Sequence, residues 1–171
     1  MSLPESLRPA LAAALRTQTD PELVAAIAGG NHTFIAGWCN VLATPAYYVK
    51  RKSLSRHEIL TGTSDAGTTF AWAAGAYITR SQGERDAFRE MFNDTGTVNP
   101  WLPAITAGFA DIFSGAGGAG NRAHILAMAR RAATRAEKML TSGAGTKAAP
   151  SVTVFDGEID TTDVGRSLNE F

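Results

Sequence analysis

The 171-residue chain is long enough to form one domain around a single hydrophobic core. Its 44% hydrophobic and 19% charged residues exclude a disordered polymer, and 16 Lys and Arg balance 16 Asp and Glu, so no net field draws it to nucleic acid or an anionic membrane. No signal-peptide pattern or membrane-spanning run of ~18 apolar residues is found. Cys39 is the only cysteine, so we expect a buried thiol in a reducing, aqueous compartment.

The first part of the chain predicts three helices. The first carries a leucine at every fourth position: Leu7, Leu11 and Leu15. Pro9 lies within that pattern and marks where the regular helix begins. Asp20 is expected to cap the second helix and Asn31 the third, which ends before Pro45. The apolar stripe of this third helix is expected to contain Phe34, Ile35, Trp38, Val41 and Leu42.

The middle of the chain alternates helices with irregular segments. Residues 47–53 are rich in β-type residues without helical periodicity, so we predict an extended segment or an edge strand. Capping boxes beginning at Ser55 and at Ser81 each predict the start of a helix. Between these two helices we expect a turn-rich loop at 62–67 and a further helix around 70–78.

Two helices and a glycine-rich linker are predicted next. Asn99-Pro100 opens a helix whose apolar residues extend to Phe113, and 114–120 reads as a linker. Asn121 is expected to cap the longest helix, about 122–140. Its alanines predict close packing against a neighbouring helix: Ala129, Ala133 and Ala136.

The C-terminal segment differs in character from the rest. Residues 143–150 contain glycines and Pro150, which predict a flexible link with little apolar surface for the core. An alternating extended segment follows, and residues 162–170 form a possible final helix. We therefore predict a mainly α fold, an irregular bundle of about six or seven helices with a short extended segment at 47–53 and an extended C-terminal arm. Within one domain, 1–142 form the helical part and 143–171 the link and arm.

No constellation of residues predicts catalysis, a cofactor or a metal. The glycines at 115, 117 and 120 have dinucleotide-loop spacing, but no strand precedes them. His32, His57 and His124 lie on separate elements, where each is expected at the surface or at a cap. The acids at 156–163 lack the ligand positions of a calcium loop and are expected to form a solvated tail. The chain is therefore not expected to be an enzyme.

The charge distribution is more informative than these motifs. Lys50, Arg51 and Lys52 lie beside Tyr47 and Tyr48, whereas 156–170 contain five acids and one base, Arg166. Three interpretations remain open: nucleic-acid binding, solvated faces of a helical bundle, or docking of the acidic tail on a basic face of the same or a neighbouring subunit. The third interpretation fits a neutral, self-assembling chain.

Three stretches resemble a group of small virion morphogenesis proteins of tailed bacteriophages and prophages. The first runs from Tyr47 to Ile59, an aromatic-valine-basic segment followed by a capped helix. The second is the helix from Gln82 to Asn93, with Met91-Phe92 near its end. The third runs from Ala107 to Lys138 and continues into an Ala-Pro, strand, Gly-Glu, Asp-Val tail. The first stretch departs from the family, which has a Trp-Arg-Thr pattern where this chain has residues 50–52.

The resemblance implies a structural protein of the virion, made in the host cytoplasm and without an activity or a cofactor. By analogy of architecture it implies a head–tail connector or adaptor that forms an oligomeric ring and contacts portal, tail or neck proteins. A nucleic-acid-binding or packaging accessory protein and a small enzyme with an unrecognised site are the alternatives. The expected partner-binding residues are Tyr47, Tyr48, Lys50, Arg51, Lys52, Val152, Val154, Phe155, Asp156 and Glu158.

Overall fold

The structure is a computed structural model that describes residues 2–73 and 75–171. Within these ranges it contains nine α-helices, which confirms the mainly α fold and exceeds the predicted number of helices. The helices are α1 (Arg8–Arg16), α2 (Pro21–Ala28), α3 (His32–Asn40), α4 (Arg56–Thr61), α5 (Gln82–Glu90), α6 (Pro103–Ile112), α7 (Gly115–Met128), α8 (Arg135–Leu140) and α9 (Thr161–Glu170), with a 3-10 turn at Glu5–Leu7. The short strands are β1 (Tyr48–Lys50), β2 (Leu54–Ser55), β3 (Thr97–Val98) and β4 (Arg130–Ala132).

The chain folds into two compact units. Unit 1 combines the residues up to Val49 with Ala132–Phe171, and unit 2 is the continuous segment Lys50–Arg131. The chain therefore passes between the units within β1 and again within β4. The predicted boundary after residue 142 falls inside unit 1.

Unit 1 has an aliphatic core supplied by both ends of the chain. The leucines of α1 at 11 and 15 are fully buried, and α9 packs against both α1 and α3. The predicted caps are present: Asp20 Oδ1 accepts from the Leu23 N–H at 3.3 Å, and Asn31 Oδ1 accepts from the Phe34 N–H at 3.1 Å. Helix α3 ends one residue before Val41, so the expected apolar stripe does not continue into Val41 and Leu42, which are exposed.

The C-terminal segment is part of this core, which corrects the prediction of a flexible link followed by an arm outside the core. Phe155 and Ile159 are each 2% exposed and pack with the α9 residue Val164 in the core of unit 1. The link is also packed, because the Tyr48 N–H donates to the Gly145 carbonyl at 2.7 Å. Glycine is required at 145, where φ is +57° and a Cβ would lie 2.0 Å from the Tyr47 ring.

The expected solvated acidic tail is likewise only partly solvated. Asp160 caps α9 by accepting from the Asp163 N–H at 2.7 Å. The Asp163 side chain is buried and accepts from the Leu3 N–H at 3.0 Å. These two carboxylates therefore serve the fold, because each satisfies backbone N–H groups that have no helical partner.

Unit 2 has an aromatic core and begins its helices at the predicted caps. Both capping boxes, Ser55 with Glu58 and Ser81 with Glu84, are complete. Strands β2 and β3, which the sequence did not predict, pair antiparallel with Leu54 opposite Val98. The buried rings pack mostly edge to face, and Phe70 lies 5.3 Å from Tyr77 and 5.9 Å from Phe113 between ring centroids.

The predicted long helix at 122–140 is wrong at both ends. Helix α7 already begins at Gly115, and the chain leaves it after Met128 to form β4 before α8 starts. The break follows from a second capping box, in which Thr134 accepts from the Glu137 N–H at 3.2 Å. The alanines predicted to pack closely are buried, but they lie on three different segments: Ala129, Ala133 and Ala136.

The helix predicted around 70–78 is also wrong. The described residues on both sides of position 74, which itself lies outside the described ranges, form turns rather than a helix. Asn121 is not a cap but a buried residue inside α7, and its side chain holds this loop. Its Oδ1 accepts from the Ala71 N–H at 2.8 Å, and its Nδ2 donates to the Ala71 carbonyl at 3.0 Å. The side-chain amide thus replaces the backbone partners that a helix would have supplied.

Candidate partner-binding surfaces

The predicted basic–aromatic segment is largely engaged within the protein. The Tyr47 side chain is buried in unit 1, and its hydroxyl lies 2.8 Å from Ser151 Oγ. In unit 2, Lys50 Nζ lies 4.7 Å from the centroid of the Trp101 ring, and Arg51 Nη2 donates to Glu58 Oε1 at 2.5 Å. Lys52 is exposed. Of the three predicted basic contacts, two are therefore occupied by intramolecular partners.

The Arg51–Glu58 pair has a clear electrostatic effect. The hydrogen bond from Arg51, together with the backbone bond from Ser55, lowers the pKa of Glu58 from 4.5 to about 2. Arg51 also donates through Nη1 to the Met128 carbonyl at 3.3 Å. Its guanidinium is fixed by these contacts, and the proposed opposition between Arg51 and the acidic segment of its own chain is not needed to explain its position.

The remaining predicted residues lie on a segment with two distinct faces, which we call the valine strip (residues 152–154). Val152 is 60% exposed and Val154 is 56% exposed, whereas Thr153 and Phe155 on the opposite face are each 2% exposed. This alternation is that of an extended chain, in which successive side chains point to opposite sides. Beyond the strip, Asp156 and Glu158 are exposed. Phe155 was predicted to bind a partner, and its burial in the core excludes that role.

The valine strip is held rigidly from its buried side. Thr153 Oγ1 accepts from the Phe155 N–H at 3.2 Å. At the start of the strip, the Ser151 N–H donates to the Tyr48 carbonyl at 3.0 Å, as part of a parallel bridge with Val49. None of the N–H groups from 152 to 154 donates to an acceptor among the described residues. The strip therefore offers two apolar side chains and an unpaired backbone edge in a fixed conformation.

Unit 2 carries an open apolar groove between α6 and α7. Its volume is about 220 Å³. The lining residues, which define the apolar groove, are Thr106, Phe109, Ala110, Arg122, Ile125 and Leu126. Leu126 is 40% exposed at its edge. The only charged side chain of the lining is Arg122, which donates to the Phe113 carbonyl through Nη1 alone and has no carboxylate partner among the described residues.

A more polar cleft lies in unit 1 around Trp38. Its indole N–H donates to Asp20 Oδ2 at 3.0 Å, which is the main reason that the pKa of Asp20 lies below its ordinary value. The Arg135 guanidinium lies 4.5 Å from the centroid of the indole ring. Arg135 and Lys138 both line the cleft, and neither has a carboxylate partner in the described part of the chain. This arrangement contains no nucleophile beside a base.

The residues that might have suggested chemistry have structural roles. Cys39 is fully buried, as predicted, and burial raises the pKa of its thiol to about 12. His124 was expected at the surface but is fully buried, with Nε2 2.9 Å from the Ile59 carbonyl and Nδ1 3.2 Å from Thr68 Oγ1. Across residues 2–73 and 75–171, no group of three or more His, Cys, Asp or Glu is placed to hold a metal ion.

The two units carry opposite formal charges although the chain as a whole is neutral. Unit 1 contains nine Asp and Glu against six Lys and Arg, a formal charge of −3. Unit 2 contains ten Lys and Arg against seven Asp and Glu, a formal charge of +3. The valine strip and its flanking acids belong to the negative unit, and the apolar groove with Arg122 belongs to the positive one.

Comparison with known proteins adds no relative to this description. No protein-family model, no curated protein and no solved structure matches the chain. Among the described residues, no helix has the length and apolar character required to cross a membrane.

Proposed function

We propose that the protein is a structural component of a tailed-bacteriophage particle, where it acts as a head–tail connector or adaptor. In this role it associates with further copies of itself and with other virion proteins, such as portal, tail or neck proteins. The supporting observation is the valine strip, in which two exposed valines and an unpaired backbone edge are fixed from behind by the core of unit 1. An edge of this kind is typically covered by a partner.

The rigidity of the strip suits an assembly contact. Because Thr153 and Phe155 hold the segment from the buried side, docking costs little conformational entropy. A contact prepared in the free subunit gives a well-defined geometry when many copies assemble. The resemblance of three sequence stretches to virion morphogenesis proteins is the second, independent support for this proposal.

The nucleic-acid alternative has less support. A phosphate-binding surface requires basic side chains that are available to the ligand, whereas Arg51 is engaged by Glu58 and Arg130 by Asp65, at 2.5 and 2.9 Å. For a small enzyme, no arrangement among the described residues joins a nucleophile to a base. Neither alternative is favoured by a specific observation.

The experiment is deletion of the gene from the phage or prophage that carries it. Induced cells are examined by electron microscopy, and purified wild-type particles are searched for the protein by mass spectrometry. We expect the protein in wild-type particles and, after deletion, heads and tails that accumulate unattached. Complementation with the wild-type gene restores infectious particles. Normal tailed particles from the deletion strain would overturn the proposal.

A second complementation distinguishes the strip from the rest of the surface. The double variant Val152→Asp, Val154→Asp should fail to restore attachment. The matched control is Val24→Asp, a substitution at a 48% exposed valine of α2 in the same unit, which should restore it. Equal activity of the two variants would mean that the strip has no part in assembly.

A further inference from the structure

We propose that the partner of the valine strip is the apolar groove of a second copy of the same chain, so that unit 1 of one molecule docks on unit 2 of the next. This inference rests on the proposed structural role and names the two surfaces through which copies associate. Both surfaces are apolar, exposed and present on every copy. They are also different from each other, which makes the contact head-to-tail.

The sizes of the two surfaces are compatible. A cavity of roughly 150 Å³ lined by aliphatic and aromatic side chains accommodates a benzene molecule. The groove has a volume of about 220 Å³, and its lining includes Phe109, Ile125 and Leu126. It therefore has room for the two valine side chains, which project from the same side of an extended segment about 7 Å apart. Burying valines and groove together removes apolar surface from water on both molecules.

The charges are complementary on two scales. At the contact itself, Asp156 and Glu158 follow the strip, and Arg122 is the one charged side chain of the groove. On the scale of the whole units, −3 on unit 1 of one copy faces +3 on unit 2 of the next. Opposite charges accelerate association and favour unit 1 on unit 2 over contacts between like units. A neutral chain with separated charges is thus suited to bind itself in one direction.

A head-to-tail contact has a distinctive consequence. Each molecule keeps one unused surface after binding, so association continues beyond the dimer until a ring closes or a filament forms. A variant with a damaged strip still has an intact groove, and a variant with a damaged groove still has an intact strip. The two variants are therefore unable to associate with themselves but able to bind each other.

The experiment uses this complementation on the full-length chain. The strip variant is Val152→Asp, Val154→Asp, the groove variant is Leu126→Asp, and all samples are compared by sedimentation velocity over a range of concentrations. Wild type is expected to form oligomers larger than dimers. Each variant alone should associate at least about tenfold more weakly, because a carboxylate would have to be desolvated in the contact. The equimolar mixture should form a 1:1 dimer that does not grow further.

Matched controls separate this contact from general surface hydrophobicity. Val24→Asp in unit 1 and Ile78→Asp in unit 2 replace residues that are 48% and 59% exposed, and both should associate like wild type. If an aspartate variant loses helical circular dichroism, the nearly isosteric pair Val152→Thr, Val154→Thr replaces it and should show the same defect in weaker form.

Three results would overturn the proposal: a wild-type chain that stays monomeric at every concentration, a strip variant that associates like wild type, or a mixture of variants that stays monomeric. These results leave the virion role untouched, since a strip that binds a different virion protein would still be needed for particle assembly. Conversely, normal particles from the gene deletion would overturn the virion role while leaving the association of the purified chain as measured.

Discussion

The two units solve the same problem of enclosing a core in different ways. Unit 1 joins the two ends of the chain, and its core is mainly aliphatic; its long-range ties include the Leu3 N–H bound to Asp163 and the Asn40 side chain bound to the backbone of Ile159. Unit 2 is one continuous segment with an aromatic core, and buried polar side chains of α7 hold its irregular loop. Unit 1 is therefore vulnerable at its C-terminal segment, and unit 2 at the residues that fix its loop.

The largest expected effect is in the core of unit 1. Phe155→Ala removes a 2% exposed ring from that core and should lower the free energy of unfolding by about 3–5 kcal/mol. The measurement is urea unfolding followed by Trp38 fluorescence, with Trp72 and Trp101 replaced by phenylalanine. Removal of residues 147–171 should abolish the Trp38 transition, in contrast to the sequence-based expectation that this truncation leaves the helices intact.

The matched substitution for unit 2 is Phe88→Ala, which removes a fully buried ring from the aromatic core. We expect a loss of similar size, followed by Trp101 fluorescence after Trp38 and Trp72 have been replaced. A truncated chain that keeps its Trp38 transition would show that the C-terminal segment is dispensable, as an arm outside the core would be.

The next effect concerns the loop of unit 2. Asn121→Leu preserves the approximate volume of the side chain but leaves the Ala71 N–H and carbonyl without their partners. We expect a loss of about 2–4 kcal/mol in the free energy of unfolding, because each unpaired group has a desolvation cost. Asn93→Leu, at an exposed position, is the control and should change the stability by less than about 0.5 kcal/mol. Equal midpoints in urea for the two variants would contradict this role of Asn121.

A smaller effect is expected from two glycines of α7 with opposite surroundings. A Cβ at Gly117 would lie 2.3 Å from the Gly75 carbonyl oxygen, whereas a Cβ at Gly120 meets nothing within 4 Å. Gly117→Ala should therefore destabilise by about 1–3 kcal/mol through overpacking. Gly120→Ala should stabilise by up to about 1 kcal/mol through its higher helix propensity. Thermal unfolding of both variants checks this, and a stabilised Gly117→Ala variant would mean that α7 does not pack closely on the loop.

The same contrast explains what the sequence could predict. Local signals were sufficient where a side chain acts on its own helix: Asp20, Ser55 and Ser81 mark the starts of α2, α4 and α5 as predicted. The equivalent signal at Thr134 was present but overlooked within an apparently continuous helical pattern. Glycines at 115–120 read as a linker because glycine disfavours helix, yet close packing against the loop requires them. That requirement depends on tertiary contacts, which no local pattern displays.

The candidate surfaces show the same limit at the level of single residues. Alternation in residues 152–154 correctly predicted that both valines share a face, since that follows from extended geometry alone. Whether this face points to solvent or to the core depends on Phe155, whose burial the sequence did not reveal. The apolar groove was not predicted at all, because it is formed by residues of two helices whose packing was unknown.

The smallest expected effect is the pH dependence of the Arg51–Glu58 pair in unit 2. The pKa of Glu58 is about 2 in the folded protein, below its ordinary value of 4.5, so the carboxylate form stabilises the fold. This contribution is fully present above about pH 4.5 and is lost as the pH falls from there towards 2. Because 40% of the Glu58 side chain is exposed, we expect solvent screening to reduce the contribution to about 1 kcal/mol. Wild type and Glu58→Gln should thus differ by a constant amount above pH 5 and converge at lower pH, as measured by urea unfolding. The Arg51→Gln variant is the matched test of the cause, since the Arg51 hydrogen bond is the largest contribution to the shift. An NMR titration of its Glu58 carboxyl should give a pKa closer to 4.5, and an unchanged pKa would assign the shift to the Ser55 capping bonds instead.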